Sequence, residues 1–326
     1  MLEHGGKLRE AARLYGQHDW IDLSTGINPH GYPAPTLAAD AWHRLPEPDP
    51  ALAAAACAYY GAPALLPVAG TQAAIQALPR LRPRSRVTVS HPSYAEHAHA
   101  WLQQGHVLRL ASHEDLDGAI DDSEVVVVVN PNNPTGETIA PERLLAWAAR
   151  LGRRGGWLVV DEAFGDTDPA LSVAAHAGQP GLIVLRSVGK FFGLAGLRLG
   201  FVGADAVTLR SLEDLLGPWT VSGPAQAVAG QALRDLDWQR QAFAQLQVSG
   251  RRMRSLLATH GIQAGGTPLF HWWAEAHPEA FHAHMAQRGI WCRLFREAGR
   301  GIRIGLPADE AGWQRLDEAL QAWSNR

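Results

Sequence analysis

Five consecutive valines, Val125–Val129, limit what this 326-residue chain can fold into more than any other stretch. Branching at Cβ favours extended backbone, and unbroken apolarity without alternation suits a strand buried on both faces. Five residues are too few to cross a bilayer. Such strands belong to parallel sheets covered by helices on both sides. Further apolar runs near 87–90, 107–110, 157–160, 182–187 and 199–203 are predicted as companion strands. Helical patterns fall between several of them, as at 141–154, and this alternation implies an α/β fold with a mostly parallel sheet. Asp49-Pro50, the run 51–60 and Gly61 read as a helix with its cap, first-turn proline and terminating glycine. One long helix is expected from Ala225 toward Ala258, interrupted by Gly230 and Gly250. It leads into a smaller C-terminal part with strands near 269–273 and 302–304 and a last helix over 309–324. The Gly- and Pro-rich first 35 residues read as irregular. The expected division is an N-terminal segment 1–35 packing on the small domain, a large domain 36–224, and a bridging helix with the small domain over 225–326.

The valine run ends in Asn130-Pro131-Asn132-Asn133-Pro134-Thr135-Gly136, a rigid turn at the strand's carboxyl end, where open α/β sheets bind ligands. The predicted strand at 157–160 ends in Asp161-Glu162-Ala163-Phe164. A third run delivers Ser187-Val188-Gly189-Lys190, then Phe191-Phe192-Gly193-Leu194-Ala195-Gly196-Leu197-Arg198. A lysine among glycines, with a hydroxyl before it and a guanidinium after it, suits pyridoxal phosphate. The amine condenses with the cofactor aldehyde, while the other two groups hold the phosphate. Asp161, a carboxylate at a strand end, is placed to keep the pyridine nitrogen protonated. A charge-assisted hydrogen bond of that kind is worth about 1.5–3 kcal/mol. An isolated S-x-x-K is more often a solvated lysine in a turn, and Asp161 alone more often a helix cap.

In their order and spacing these motifs resemble the fold-type I pyridoxal phosphate enzymes, most nearly the histidinol-phosphate aminotransferase group of class I and II aminotransferases. The opening, with His4-Gly5-Gly6, Tyr15-Gly16 and Asp22-Leu23-Ser24-Thr25-Gly26-Ile27-Asn28-Pro29, is more similar to the L-threonine-O-3-phosphate decarboxylases of cobalamin biosynthesis. The resemblance spans essentially the whole chain. It implies a large domain with a mostly parallel, seven-stranded-type sheet, a smaller α/β domain built from both termini, and a homodimer. It implies pyridoxal 5′-phosphate held by Gly70, Thr71, Tyr94, Asn133, Asp161, Ser187, Lys190 and Arg198. Lys190 would carry the cofactor and Asp161 would meet its ring nitrogen. Asn133 would reach the phenolic oxygen, Tyr94 would stack on the ring, and Ser187, Arg198 and the amides at 70–72 would bind phosphate. His4, Gly5, Gly6, Asn28, Arg293 and Arg303 would meet the substrate. Arg303 matches an arginine that grips the carboxylate in related aminotransferases, and Arg293 one that receives the substrate phosphate. The implied reaction is decarboxylation of L-threonine O-3-phosphate to (R)-1-amino-2-propanol O-2-phosphate, the alternative being amino transfer as in the histidinol-phosphate group. Three positions depart from the pattern. Phe164 and Leu45 stand where relatives often carry tyrosine, the second reaching the neighbouring subunit's cofactor phosphate, and Ser222 replaces a frequent asparagine.

Other classes fit less of the chain. Penicillin-binding proteins share Ser187-x-x-Lys190 but need S-x-N and K-T-G elements, which have no suitable place here. A nicotinamide enzyme needs G-x-G-x-x-G after its first strand, and the sequence lacks it. A regulatory module on the same fold would not need Lys190, Asp161 and Arg303 together. His97 and His99, like His282 and His284, are two apart and would diverge on a helix, so no metal is expected. With 46% hydrophobic and 19% charged residues the chain reads as globular. Its net charge of −3 gives no reason to expect nucleic acid. Two cysteines, Cys57 and Cys292, suit a reducing cytoplasm, and the opening Met1-Leu2-Glu3 lacks the look of a signal peptide. Trp157 and Trp272-Trp273 are expected to fill core or domain interfaces.

Overall fold

The computed structural model describes residues 4–16, 19–297 and 299–324. Residues 1–3, on which the expectation about a signal peptide partly falls, lie outside these. Thirteen strands are described: β1 (Ile21–Asp22), β2 (Leu66–Val68), β3 (Arg86–Ser90), β4 (Val107–Ala111), β5 (Val125–Val129), β6 (Trp157–Asp161), β7 (Leu182–Ser187), β8 (Gly200–Gly203), β9 (Gly265–Thr267), β10 (Phe270–Trp273), β11 (Ile290–Trp291), β12 (Arg293–Phe295) and β13 (Gly301–Ile304). Seven of them form one sheet in the order β2-β8-β7-β6-β5-β3-β4. It is parallel except for β8, which runs against both its neighbours. The valine strand β5 lies between β3 and β6, and all five of its side chains are buried. Each buried valine removes apolar surface worth about 1.5–3 kcal/mol from water. Alternate valines feed the two cores on opposite faces of the sheet, Val126 and Val128 one, Val125 and Val127 the other.

A second, antiparallel sheet runs β12-β13-β10-β9. Strand β1 pairs in parallel with β11, Ile21 opposite Ile290, which ties the N-terminal segment to the C-terminal part of the chain. The predicted helix after Asp49 forms as Pro50–Tyr60. The Asp49 carboxylate accepts from the Ala51 N–H, and Gly61 takes the left-handed conformation that ends the helix.

Two expectations are corrected. The first 35 residues are not irregular throughout, since a helix forms over Leu8–Tyr15 and a strand at β1. The long helix expected from Ala225 is two helices, Gly223–Ala232 and Leu236–Thr259. The break falls at Asp235, whose side chain caps the second helix at the Trp238 N–H. Neither expected interruption breaks a helix. Gly250 lies inside the second helix, where a Cβ would meet Pro268 Cα at 2.8 Å. Among the described residues no helix is long and apolar enough to cross a membrane, and no cluster of three or more His, Cys, Asp or Glu could hold a metal.

Candidate active site

The carboxyl ends of β5, β6 and β7 open on one cavity of about 180 Å³. That is below the roughly 300–1,000 Å³ of drug-sized ligand pockets, and suits a single-ring ligand. Its lining includes Gly70, Thr71, Tyr94, Asn133, Asp161, Ser187, Lys190 and Arg198, which are all eight residues expected to hold the cofactor. A larger cleft of about 620 Å³ lies elsewhere, lined by Pro46, Pro48, Leu66 and Trp219 among others. Its described lining holds carboxylates and Thr220 but no lysine, arginine, histidine or cysteine, so the chemistry belongs to the smaller cavity.

Each wall has a local cause. The turn after β5 is closed by Asn130, whose side chain exchanges two hydrogen bonds with the Ile139 backbone, and by Asn132, which donates to the Pro92 carbonyl. Asn133 is thereby presented to the cavity. Gly136, at φ +77°, lets this turn touch the small sheet, because a Cβ there would lie 2.4 Å from Gly266 Cα. Asp161, at the end of β6, is buried; its Oδ1 accepts from the Ala163 N–H and its Oδ2 lies 2.8 Å from His97 Nε2. Ser187 ends β7, and its Oγ accepts from the Gly189 N–H, which leaves the hydroxyl hydrogen to donate elsewhere. Arg198 is held at φ +54°, a left-handed value rare outside glycine, and such strain gathers at ligand sites. Its guanidinium lies over Gly70, 2.7 Å from where a Cβ would stand, and the φ of +71° there would strain any other residue. The helix Thr71–Ala77 starts there, with its first N–H groups at the same corner.

Lys190 is half-buried and its Nζ makes no hydrogen bond to any described residue. It lies 5.3 Å from the centre of the Phe164 ring, which in turn packs edge-on against Phe270. The apolar wall that replaces a tyrosine hydroxyl thus faces the amine. Burial first, and the positive charge of Arg303 second, push the Lys190 amine down to about 8, against the pull of Asp161. Half the amine is then neutral near pH 8, which condensation with an aldehyde requires.

The residues expected at the substrate gather beside this cavity. Arg303 on β13 faces Arg293 on β12. Its guanidinium donates to Asn133 Oδ1 at 2.5 Å and to the Ser24 carbonyl at 2.6 Å, while its buried Nε has no partner. Burial and then Arg293 push it down to about 9. Gly5 and Gly6 pack on Ser24, whose Oγ accepts from the Gly6 N–H at 2.7 Å. His4 reaches Glu96. Asn28 is turned to the lysine loop instead: its N–H donates to the Lys190 carbonyl and its amide to the Phe191 carbonyl. In this structure it shapes the loop that carries the lysine.

His97 was missed, being read only with His99 as a pair unable to share a metal. The signal was available: three residues after Tyr94, at the start of the helix Ala95–Gln103, it shares a face with the tyrosine. Leu45 is exposed, and Ser222 caps the helix Gly223–Ala232 through the Ala225 N–H. Trp273 is buried as expected, while Trp157 is partly covered by the Arg82 guanidinium.

A profile of the family "Aminotransferase class I and II" matches residues 18–318. The chain belongs to the class I and II aminotransferase family. Within it, the chain is 54% identical over 323 residues to the threonine-phosphate decarboxylase of Pseudomonas aeruginosa, covering 98% of this chain and 97% of that one. Among solved structures, the histidinol-phosphate aminotransferase of Sinorhizobium meliloti in complex with pyridoxal 5′-phosphate superposes with a TM-score of 0.82. It is 22% identical and covers 97% of this chain and 95% of that one. The L-threonine-O-3-phosphate decarboxylase of Porphyromonas gingivalis gives 0.78 at 19% identity, covering 93% and 99%. At such identities the two structures bear on the fold, and the fold is theirs.

Proposed function

We propose that this chain is a pyridoxal phosphate-dependent decarboxylase that acts on L-threonine O-3-phosphate, releasing carbon dioxide and (R)-1-amino-2-propanol O-2-phosphate in cobalamin biosynthesis. One observation carries the cofactor part: Lys190, Asp161, Ser187 and Arg198 converge on a single small cavity. The cradle fits the cofactor, since one lining brings together an amine, a buried carboxylate, a hydroxyl, and a guanidinium lying over a glycine. The substrate is taken from the near full-length likeness to a threonine-phosphate decarboxylase. When bound, pyridoxal phosphate supplies an aldehyde for the substrate amine and a ring that accepts electrons from Cα.

The chain's own groups do the rest. Asp161 holds the proton on the cofactor's ring nitrogen, and His97 fixes that carboxylate through Oδ2. Ser187, Arg198 and the Thr71 N–H hold the cofactor phosphate, Asn133 reaches the phenolic oxygen, and Tyr94 covers the ring. Arg293 and His4 take the substrate phosphate. A tight grip on the carboxylate would stabilise the ground state and oppose its loss. Arg303 gives one donor each to Asn133 and the Ser24 carbonyl, which ties its guanidinium to the turn after β5 and to the N-terminal segment. The choice of carboxylate loss over amino transfer is taken from the same near full-length likeness. Lys190 Nζ returns a proton to Cα after carbon dioxide leaves.

The proposal extends to assembly and location. Trp42, Leu45 and Trp219 are each more than half exposed and lie at or near the 620 Å³ cleft, an apolar face suited to a second copy in a homodimer. A cytoplasmic location suits the two unpaired cysteines. The three-part division at 35/36 and 224/225 is kept as the working domain scheme. The test of the cofactor reading is spectroscopic: protein incubated with pyridoxal phosphate should gain a visible absorbance that shifts on adding L-threonine O-3-phosphate. A protein that stays colourless refutes the reading.

A further inference from the structure

The segment His4–Gly6 passes beside Tyr94, whose ring centre lies 6.3 Å from that of the His4 imidazole, and is fastened at both ends. On one side Gly6 donates to Ser24 Oγ, and Ser24 in turn is tied to Asp22 and, through its carbonyl, to Arg303. Gly5 is pressed so close that a Cβ would lie 2.5 Å from the Ser24 carbonyl oxygen. On the other side His4 Nε2 meets Glu96 Oε1 at 2.8 Å. Glu96 stands in the first turn of the helix Ala95–Gln103, where a carboxylate is favoured whatever its neighbours. That setting does not explain its partners. Its second oxygen accepts from Gln72 Nε2 at 2.7 Å, and the Tyr94 hydroxyl donates to Gln72 Oε1 at 3.2 Å. Both Gln72 and Tyr94 line the cavity. Glu96 therefore joins this segment to the cavity wall, and at 14% side-chain exposure its bonds are made largely out of water.

We infer that Glu96 is a positioning residue for substrate recognition: it clamps the Nε2 edge of His4, so that the Nδ1 edge of a fixed imidazole is offered to the substrate phosphate. A carboxylate on one ring nitrogen orients the ring and sets the role of the other. A phosphate oxygen accepts only, so it needs Nδ1–H; with both ring nitrogens carrying hydrogen, Nε2–H meets Glu96 and Nδ1–H meets the phosphate. Without the clamp, His4 is a side chain 42% exposed near the chain's beginning, and ordering it would cost affinity. The inference rests on the proposed substrate and on the placing of His4 at its phosphate.

The test is a double-mutant cycle on the holoenzyme with Glu96→Ala, His4→Ala and the pair, with Glu96→Gln as the mild variant. Each protein's visible cofactor absorbance checks that the cradle is intact. With L-threonine O-3-phosphate, Glu96→Ala should raise KM about tenfold, the scale of one lost charged hydrogen bond, with kcat within about twofold. Glu96→Gln should fall between it and wild type. The double variant should be no worse than His4→Ala alone, because the two residues act as one unit. L-Threonine, which lacks the phosphate, should inhibit the wild type and all four variants equally. Additive effects in the cycle, an unchanged KM in Glu96→Ala, or a fall in kcat at constant KM overturns the inference while leaving the decarboxylase reading in place. A wild-type protein inert toward L-threonine O-3-phosphate overturns both.

Discussion

The cradle on the large sheet and the rim facing it use similar side chains differently. In the cradle, the Lys190 amine has no hydrogen bond to any described residue and the Ser187 hydroxyl keeps its donor, each turned to a common cavity at a strand end. In the rim, Arg303 is bonded to Asn133 and Ser24, His4 to Glu96, and Asn28 to the lysine loop. Asn133, Asp161, Ser187 and Lys190 sit on or shortly after β5, β6 and β7. Gly70 and Thr71 stand just beyond β2, Tyr94 just beyond β3 and Arg198 just before β8, all strands of one sheet. Rim residues come from the N-terminal segment and the small sheet, and must be positioned by one another. Preorganised groups on rigid strands suit the bond-breaking chemistry, while mutually tethered groups suit substrate selection.

That contrast can be broken at several points, the largest effects falling in the cradle. Replacing Lys190 by Ala, or Asp161 by Ala, should lower kcat by roughly 10²–10⁴-fold or more, the scale of a lost proton-transfer group, with the fold intact by circular dichroism. Near-normal turnover in Asp161→Ala would make that carboxylate structural. Behind the cradle, His97→Phe removes a buried hydrogen bond to Asp161 worth about 1.5–3 kcal/mol. Steady-state kinetics should show kcat down roughly ten- to a hundredfold, with KM for substrate little changed. In the rim the order should reverse: Arg293→Ala should raise KM about ten- to a hundredfold and leave kcat nearly intact.

The smallest effect is a shift along the pH axis. Burial and Arg303 hold the Lys190 amine at about 8 instead of its ordinary 10.5. Below that value the amine is protonated and cannot condense; above it the amine is free. Uptake of pyridoxal phosphate by protein stripped of cofactor should therefore rise with pH and level off above a midpoint near 8. Arg303→Met removes a repelling charge and should move that midpoint upward. A wild-type midpoint near 10.5 would contradict the burial of the amine.

The cradle was legible in the sequence because its parts are contiguous motifs at strand ends. Val125–Val129 announces the central strand by composition alone, and Asp161 and Lys190 each follow an apolar run by a residue or a few. Strands of two or three residues, such as β1, β2, β9 and β11, left no periodic signal to read. The break at Asp235 was missed for a different reason: the apolar period continues through it, and only the side-chain cap on Trp238 N–H ends one helix and starts the next. Rim contacts such as His4 with Glu96 join residues 92 positions apart, and Arg303 with Asn133 spans 170; no local pattern carries such pairings. His97 lay between these cases, with the right spacing from Tyr94 but an unremarked partner in Asp161.

The central claim is that the rim directs the chemistry of the cradle toward loss of the carboxylate. The direct measurement is to supply the holoenzyme with L-threonine O-3-phosphate without any 2-oxo acid, and separately with L-histidinol phosphate plus 2-oxoglutarate, measuring carbon dioxide and glutamate. The account predicts sustained carbon dioxide release in the first reaction and little or no glutamate in the second. Ready glutamate formation without carbon dioxide release would contradict it and make the enzyme an aminotransferase.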